Sequence, residues 1–491
     1  MTDTLIIGAG MGGLFTGALL SRQGVRVTVL EKNAVIGGGL QNFVRGGEVY
    51  ETGMHIAAGF APGGNMNRIC RYLGIMDSLE LEFPDRLASV TYADTGRTFD
   101  LPVGRKAFQE YLSQCFPEQS DGLARYLDAV DRLSHEEKLF YLEPSDGFFQ
   151  PHSDEFMMAA DRFIAQYVSD PELEALLAFV NPLYAGVPGH SPAYLHVMIS
   201  KMFIEGPCWF RAGSGRLAEA LQRVIEQGGG QVLTRREVKR VTVRDMKVCS
   251  VTDGEGREYV ADNYISDIHP QALLAMIDGK AFNAGYSRRL MEIPDTASAF
   301  KVFVKLKPGV LRHPGCPVSV NDSFRNVWVR DGVWPHTANC FLAGGGDGWA
   351  THMTVLSLMD FVETEQWADT RTGHRGAGYE CWKKERTERV LDLVEKRFPD
   401  IREQADDIFA ASPLTFRDWL GAPHAGAFGY AKDVECPALS QVPIRTKVGN
   451  LLLTGQNVNM HGIGGVPMTA IETAQAIVGN DVILNDIIQT K

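Results

Sequence analysis

The amino-acid sequence predicts an α/β fold of two interleaved domains, one of them built around a parallel sheet. Three observations carry this expectation. The chain opens on "TLIIGAGMGGLFTGALLSRQGVRVTVLEK", an apolar strand, a glycine-rich turn, a helix and a second strand. The same grammar returns near the other end in "GNLLLTGQNVNMHGIGGVPMTA", from Gly449 to Ala470. The 491 residues also exceed what one hydrophobic core supports.

The opening stretch reads as a complete dinucleotide fingerprint. Leu5 to Ile7 form a buried strand, and Gly8, Gly10 and Gly13 give the GxGxxG spacing. Gly8 makes the tight turn, Gly10 lets the backbone approach a pyrophosphate, and Gly13 allows close helix–strand packing. The helix from about Met11 to Gln23 aims its free N–H groups and positive dipole end at the phosphates, and Gly24 ends it. "VRVTVL" is the second strand, with Glu31 at its end to hold the ribose hydroxyls. That carboxylate disfavours a 2′-phosphate and so argues against NADP at this site.

The residues after Glu31 separate NAD from FAD. "KNAVIGGGLQNF" carries a second glycine cluster, Gly37, Gly38 and Gly39, which the simple NAD pattern lacks. Such an extension wraps the FAD pyrophosphate from a second side. "GGEVYETGMHIAAG" then supplies Gly53 and His55. A second GxGxxA match, "GSGRLA", has no clear strand before it and reads as a structural helix start.

Composition narrows the partners. A net charge of −12 without a Lys/Arg-rich block excludes nucleic acid. The eight cysteines form no CxxC pair, as expected of free thiols in a reducing compartment. The chain starts directly on a strand, so the expected location is cytoplasmic. From Glu174 to Lys201 runs a stretch without intervening charge, broken by Pro182, Pro188 and Pro192. It reads as the wall of an apolar cavity or a peripheral membrane contact rather than a transmembrane helix, with plain core as the competing reading. Tyr184, His190, Tyr194 and His196 are its candidate substrate-tunnel residues.

Between these motifs, "GRLAEALQRVIEQGGG" is an amphipathic helix, and "TVRDMKVCSVTDGEGREYVADNYISD" alternates strand and turn. "ASAFKVFVKLKPG" is a strand, and "YECWKKERTERVLDLVEKRF" a charged helix stopped by Pro399.

At this point "EK…GGGLQNF…YETGMHIAAG" resembles the phytoene desaturase, carotenoid isomerase and retinol saturase family of amine-oxidase-like flavoproteins. "RAGSGRLAEALQRVIEQGGGQVLTRREVKRV", "ADNYISDIHPQAL", "SPLTFRDWLGAPHAGAFGY" and "GNLLLTGQNVNMHGIGGVPMTAIETAQAI" extend the likeness through the middle and the C-terminal part. "ETGMH", "LYAGVPGHSP" and "LLLTGQN" look nearer the retinol saturase branch. Two departures stand out: Gly39 replaces the arginine of desaturases, and Gln456-Asn457 replace the acid that often comes after Gly455.

The resemblance implies a discontinuous Rossmann-like FAD-binding domain from residues 1–75, 206–275 and 425–491. An α+β substrate domain from residues 76–205 and 276–424 interleaves with it. It implies that Gly8, Gly10, Gly13, Glu31, Gly37 and Gly38 hold the ADP half, with Val238 meeting the adenine through its backbone and Gly53 beside the flavin. Gly455 and Asn457 would serve the flavin-side phosphate and ribityl chain, and Gly465 and Val466 the ring.

The expected activity is FAD-dependent hydride transfer at C=C or CH–CH bonds of a hydrophobic polyene or isoprenoid, with an external electron donor or acceptor. Such chemistry needs no metal, and the twelve histidines show no HExxH or paired-ligand spacing. His55 and His461, in the two flavin loops, are candidate proton donors. Lys301 stands near where amine oxidases of this superfamily keep a lysine; an exposed basic stripe with Lys305 and Lys307 is the competing reading. A flavin amine oxidase is the alternative function, and a prenyl-binding protein of the GDP-dissociation-inhibitor type the third.

Overall fold

The computed structural model describes residues 3–144, 152–277, 281–329, 332–344 and 346–490. The strand Asp3–Ile7 sits at the centre of a five-stranded parallel sheet. Arg26–Leu30 and then Gln231–Leu233 flank it on one side, Asn263–Ser266 and then Leu451–Leu453 on the other. Both faces are covered, so its strands are short and apolar. Ile6, Val27 and Val29 point to the helices Met11–Arg22, Gly215–Gln227 and Gly462–Val478. Leu5, Ile7 and Leu30 point the other way, against the antiparallel meander Val238–Arg244, Lys247–Asp253 and Glu258–Tyr259. This is the period-two alternation of a strand buried on both faces.

A second, seven-stranded sheet runs in the order Ala405–Ala411, Ser298–Leu306, Ala350–Met359, Thr337–Gly344, Val318–Asn321, Arg86–Tyr92, Thr98–Pro102. Only Val318–Asn321 and Arg86–Tyr92 pair in parallel. Phe300, Val302 and Val304 pack under the helix Ala377–Val394. The alternate residues Ala299, Lys301 and Phe303 face a cavity between this sheet and the parallel one. The expected basic stripe therefore does not form. Lys301 is only 1% exposed, because the strand is interior to the sheet and its other face is covered as well.

The uncharged stretch folds into three short pieces, Pro171–Leu177, the 3-10 turn Ala178–Leu183 and the helix Ala193–Glu205. Pro192 stands at the N-cap of the last of these, where its missing N–H costs nothing. Among the described residues, no helix is long and apolar enough to cross a membrane. All eight cysteines are free thiols.

Candidate active site

Three glycine turns converge at the start of the helix Met11–Arg22. The Gly37 N–H donates to the Ala9 carbonyl at 2.7 Å, which sets the second glycine cluster against the first. A Cβ on Gly12 would lie 2.6 Å from the Gly455 Cα, so backbone meets backbone where the two ends of the chain join. Gly455 itself has φ +89°, open to glycine at little cost. Beside it the Thr16 and Thr454 hydroxyls meet at 3.1 Å.

Glu31 ends the second strand with its side chain buried, accepting the N–H groups of Ala9 at 2.9 Å and Asn33 at 2.8 Å. Burial raises its pKa, against those two donors. The Arg236 N–H donates to the Glu31 carbonyl, which brings the first meander strand, with Val238, alongside. Gly53 abuts Gly39, whose carbonyl oxygen lies 2.3 Å from where a Cβ would stand.

In the C-terminal loop, Asn457 Oδ1 accepts the Tyr430 N–H at 3.1 Å. Gly465 is held against Met460, and Val466 reaches the cavity wall. A cradle that side chains would fill, a helix start whose N–H groups favour an anion and a buried carboxylate at the strand end together fit FAD. Asp267, at the end of the strand Asn263–Ser266, also enters this cradle, and sequence reasoning missed it.

A cavity of about 820 Å³ takes in the cradle and extends between the sheets. Leu87, Val90, Phe179, Leu183, Ile199 and Phe341 stand in its wall. Among the described residues, only Arg45, Asp267 and Lys301 bring charged side-chain types to that wall.

Lys301 and His55 meet there. Lys301 Nζ lies 2.7 Å from His55 Nε2 and also donates to the Thr52 carbonyl. The His55 ring stacks on Phe341 with centroids 4.7 Å apart. Its Nδ1 lies 3.5 Å from a Glu51 carboxylate oxygen, whose partner oxygen accepts the Ser214 N–H at 2.8 Å. Burial pulls Lys301 down to about 7, against the Glu51 charge. It pushes Glu51 up to about 7 and, with the neighbouring Lys301 charge, holds His55 well below its ordinary value. Low dielectric disfavours every charged form, so these groups compete for few protons near neutrality. Ser214 belongs to "GSGRLA", whose backbone serves Glu51.

The tunnel residues named from the sequence do not reach the cavity. His196 is fully buried in a polar network, 2.7 Å from the Tyr126 hydroxyl and 3.5 Å from that of Tyr184. Tyr194 stacks on Phe156 at 5.2 Å. His190 faces Asp433 at 3.2 Å, and with Glu435 these ligand atoms lie within 4.8 Å of one another. The uncharged stretch does line the cavity, but through Phe179, Pro182, Leu183 and Ile199. His461 immediately precedes the helix Gly462–Val478 in the cavity wall, without a capping bond, and its ring lies against Phe428. Burial and the Lys432 charge pull it down to about 3, so it stays neutral at physiological pH.

Known proteins resemble this chain over most of its length. The rat (Rattus norvegicus) all-trans-retinol 13,14-reductase is 24% identical over 97% of this chain and 85% of its own length. The carrot (Daucus carota) chloroplastic prolycopene isomerase is 23% identical over 94% of this chain and 78% of its own. A crystal structure of an oxidoreductase from Methanosarcina mazei superposes with TM-score 0.66 at 17% identity, covering 96% of this chain and all of that one. The model of the flavin containing amine oxidoreductases matches residues 11–478. With the fingerprint, the second glycine cluster and the C-terminal flavin loop in one cradle, the chain belongs to that family and is an FAD-dependent oxidoreductase.

Proposed function

We propose that the enzyme transfers hydride at C=C or CH–CH bonds of a hydrophobic polyene or isoprenoid, with the Lys301–His55 pair moving the accompanying proton. The carrying observation is one continuous apolar cavity that leads from the cofactor cradle and holds a buried lysine hydrogen-bonded to a histidine. When bound, FAD supplies hydride chemistry at N5. The chain's own part is to exclude water with its aliphatic and aromatic walls, to align the substrate along them, and to hold a proton at Lys301 Nζ or His55 Nε2. Saturation consumes one hydride and one proton; desaturation releases both to an external acceptor. Isomerisation returns what it takes. The names of the rat and carrot relatives, a retinol reductase and a prolycopene isomerase, support this substrate class.

Peripheral membrane contact would bring such a substrate to the cavity. Val44, 70% exposed, and Trp419, 48% exposed, stand in the cavity lining where it reaches the surface, and support that route. An amine substrate fits less well: Asp267, the one wall carboxylate among the described residues, lies in the cofactor cradle.

Mass spectrometry of lipid extracts from cells with and without the gene tests the reading. A product shifted by two hydrogens, or one of equal mass and new retention time, supports it. Unchanged lipids together with ammonia release from an added amine would overturn it.

A further inference from the structure

Asp267 stands where the glycine turns meet. A Cβ on Gly10 would come within 2.5 Å of its Oδ2, and one on Gly12 or Gly455 within 2.4 or 2.3 Å of its Oδ1. The backbone N–H groups of Gly10 and Gly13 favour its charge, and those same amides form the anion seat at the head of the helix Met11–Arg22. The carboxyl thus lies in the seat that the cofactor pyrophosphate requires, and two anions at such range repel strongly in a shielded site.

The charged neighbours do not relieve this. Glu31, from the second strand, has the same sign. The first turn of the helix carries no acid, and the turns at Gly37–Gly39 and Gly455–Asn457 contain no ionisable side chain. On its own segment, His269 is engaged with Asp295 at 2.9 Å. Burial, with Glu31 adding, pushes the Asp267 carboxyl up to about 7, against the two glycine N–H groups.

We propose that Asp267 is a protonation gate for the cofactor: ionised, it caps the pyrophosphate seat of the free protein, and FAD takes the seat when Asp267 is neutral. Binding FAD then takes up a proton at this carboxyl. Linkage gives the sign. A group that holds its proton more tightly in the complex than in the free protein makes binding strongest below its free pKa and weaker as pH rises above it.

The test is FAD titration of apoprotein by flavin fluorescence, between about pH 6 and pH 9 at fixed ionic strength. The dissociation constant of the wild type should rise up to about tenfold per pH unit above about pH 7. Asp267→Asn should bind with little pH dependence, and about tenfold or more tighter than wild type near pH 8. A wild-type constant independent of pH, or an Asp267→Asn variant that is weaker throughout or keeps the slope, overturns the proposal. Should Asp267→Asn fail to fold, calorimetry of wild-type FAD binding in buffers of different ionisation enthalpy decides: proton uptake on binding supports the gate, and none refutes it.

Discussion

Lys301 Nζ lies 2.7 Å from His55 Nε2, although the two residues are 246 positions apart in the chain. Replacing Lys301 by Met keeps the buried volume and removes the proton. Turnover of the polyene should fall by about 10²–10⁴-fold, while the flavin spectrum of the purified enzyme stays that of the wild type. Equal loss of bound flavin would instead make Lys301 a cofactor-holding residue.

The same pair sets a pH dependence. Lys301 is pulled down to about 7, so the fraction able to donate a proton shrinks above that pH. In the saturating direction the rate should be level below about pH 7 and fall up to tenfold per unit above it. Glu51→Gln removes the charge that opposes this downward shift and should move the break to lower pH. A pH–rate profile on both proteins checks it.

Gly12 tests the joint between the chain's two ends. A Cβ there would lie 2.6 Å from the Gly455 Cα, and backbone cannot swing aside as a side chain does. Gly12→Ala should cost about 1–3 kcal/mol of stability and most of the bound flavin, read by urea unfolding and by the flavin-to-protein absorbance ratio.

His196 should behave as structure rather than as chemistry. Its Nε2 partners the buried Tyr126 hydroxyl. His196→Leu removes that bond and leaves the hydroxyl its Ser200 partner, at a cost of about 0.5–1.5 kcal/mol, and should leave flavin binding and product identity unchanged. A changed product would return His196 to the tunnel.

Ile199, by contrast, is in the cavity wall. Ile199→Trp should raise KM for a long polyene more than for a short isoprenoid, with the flavin spectrum intact. Competition between substrates of different chain length measures the shift.

How much of the site was legible in the sequence depends on what each residue's role requires. The tight turn was legible in the GxGxxG spacing, because a Cβ on Gly13 would lie 2.2 Å from the Gly8 carbonyl oxygen. Asp267 and Glu51 were not, since an isolated acid in "ISDIHP" or "YETGMH" has no periodic signature. Strand alternation put Lys301, Lys305 and Lys307 on one face, but cannot say what covers that face. Burial separates them: Lys305 reaches Asp406, whereas Lys301 is sealed in the cavity. His196 was misplaced for a related reason. Its partner Tyr126 is 70 residues away, a contact that no local pattern reveals.

The strand Leu451–Leu453 closes the edge of the parallel sheet beside Tyr264–Ser266, and the helix Gly462–Val478 packs on Met11–Arg22. During synthesis the N-terminal fingerprint therefore emerges long before the turn that completes its cradle. Contacts so distant in sequence form late, and the segment in between must be kept from aggregating meanwhile. A chain stopped short of Gly455 retains the whole GxGxxG motif but lacks the turn that packs against Gly12, and should emerge colourless.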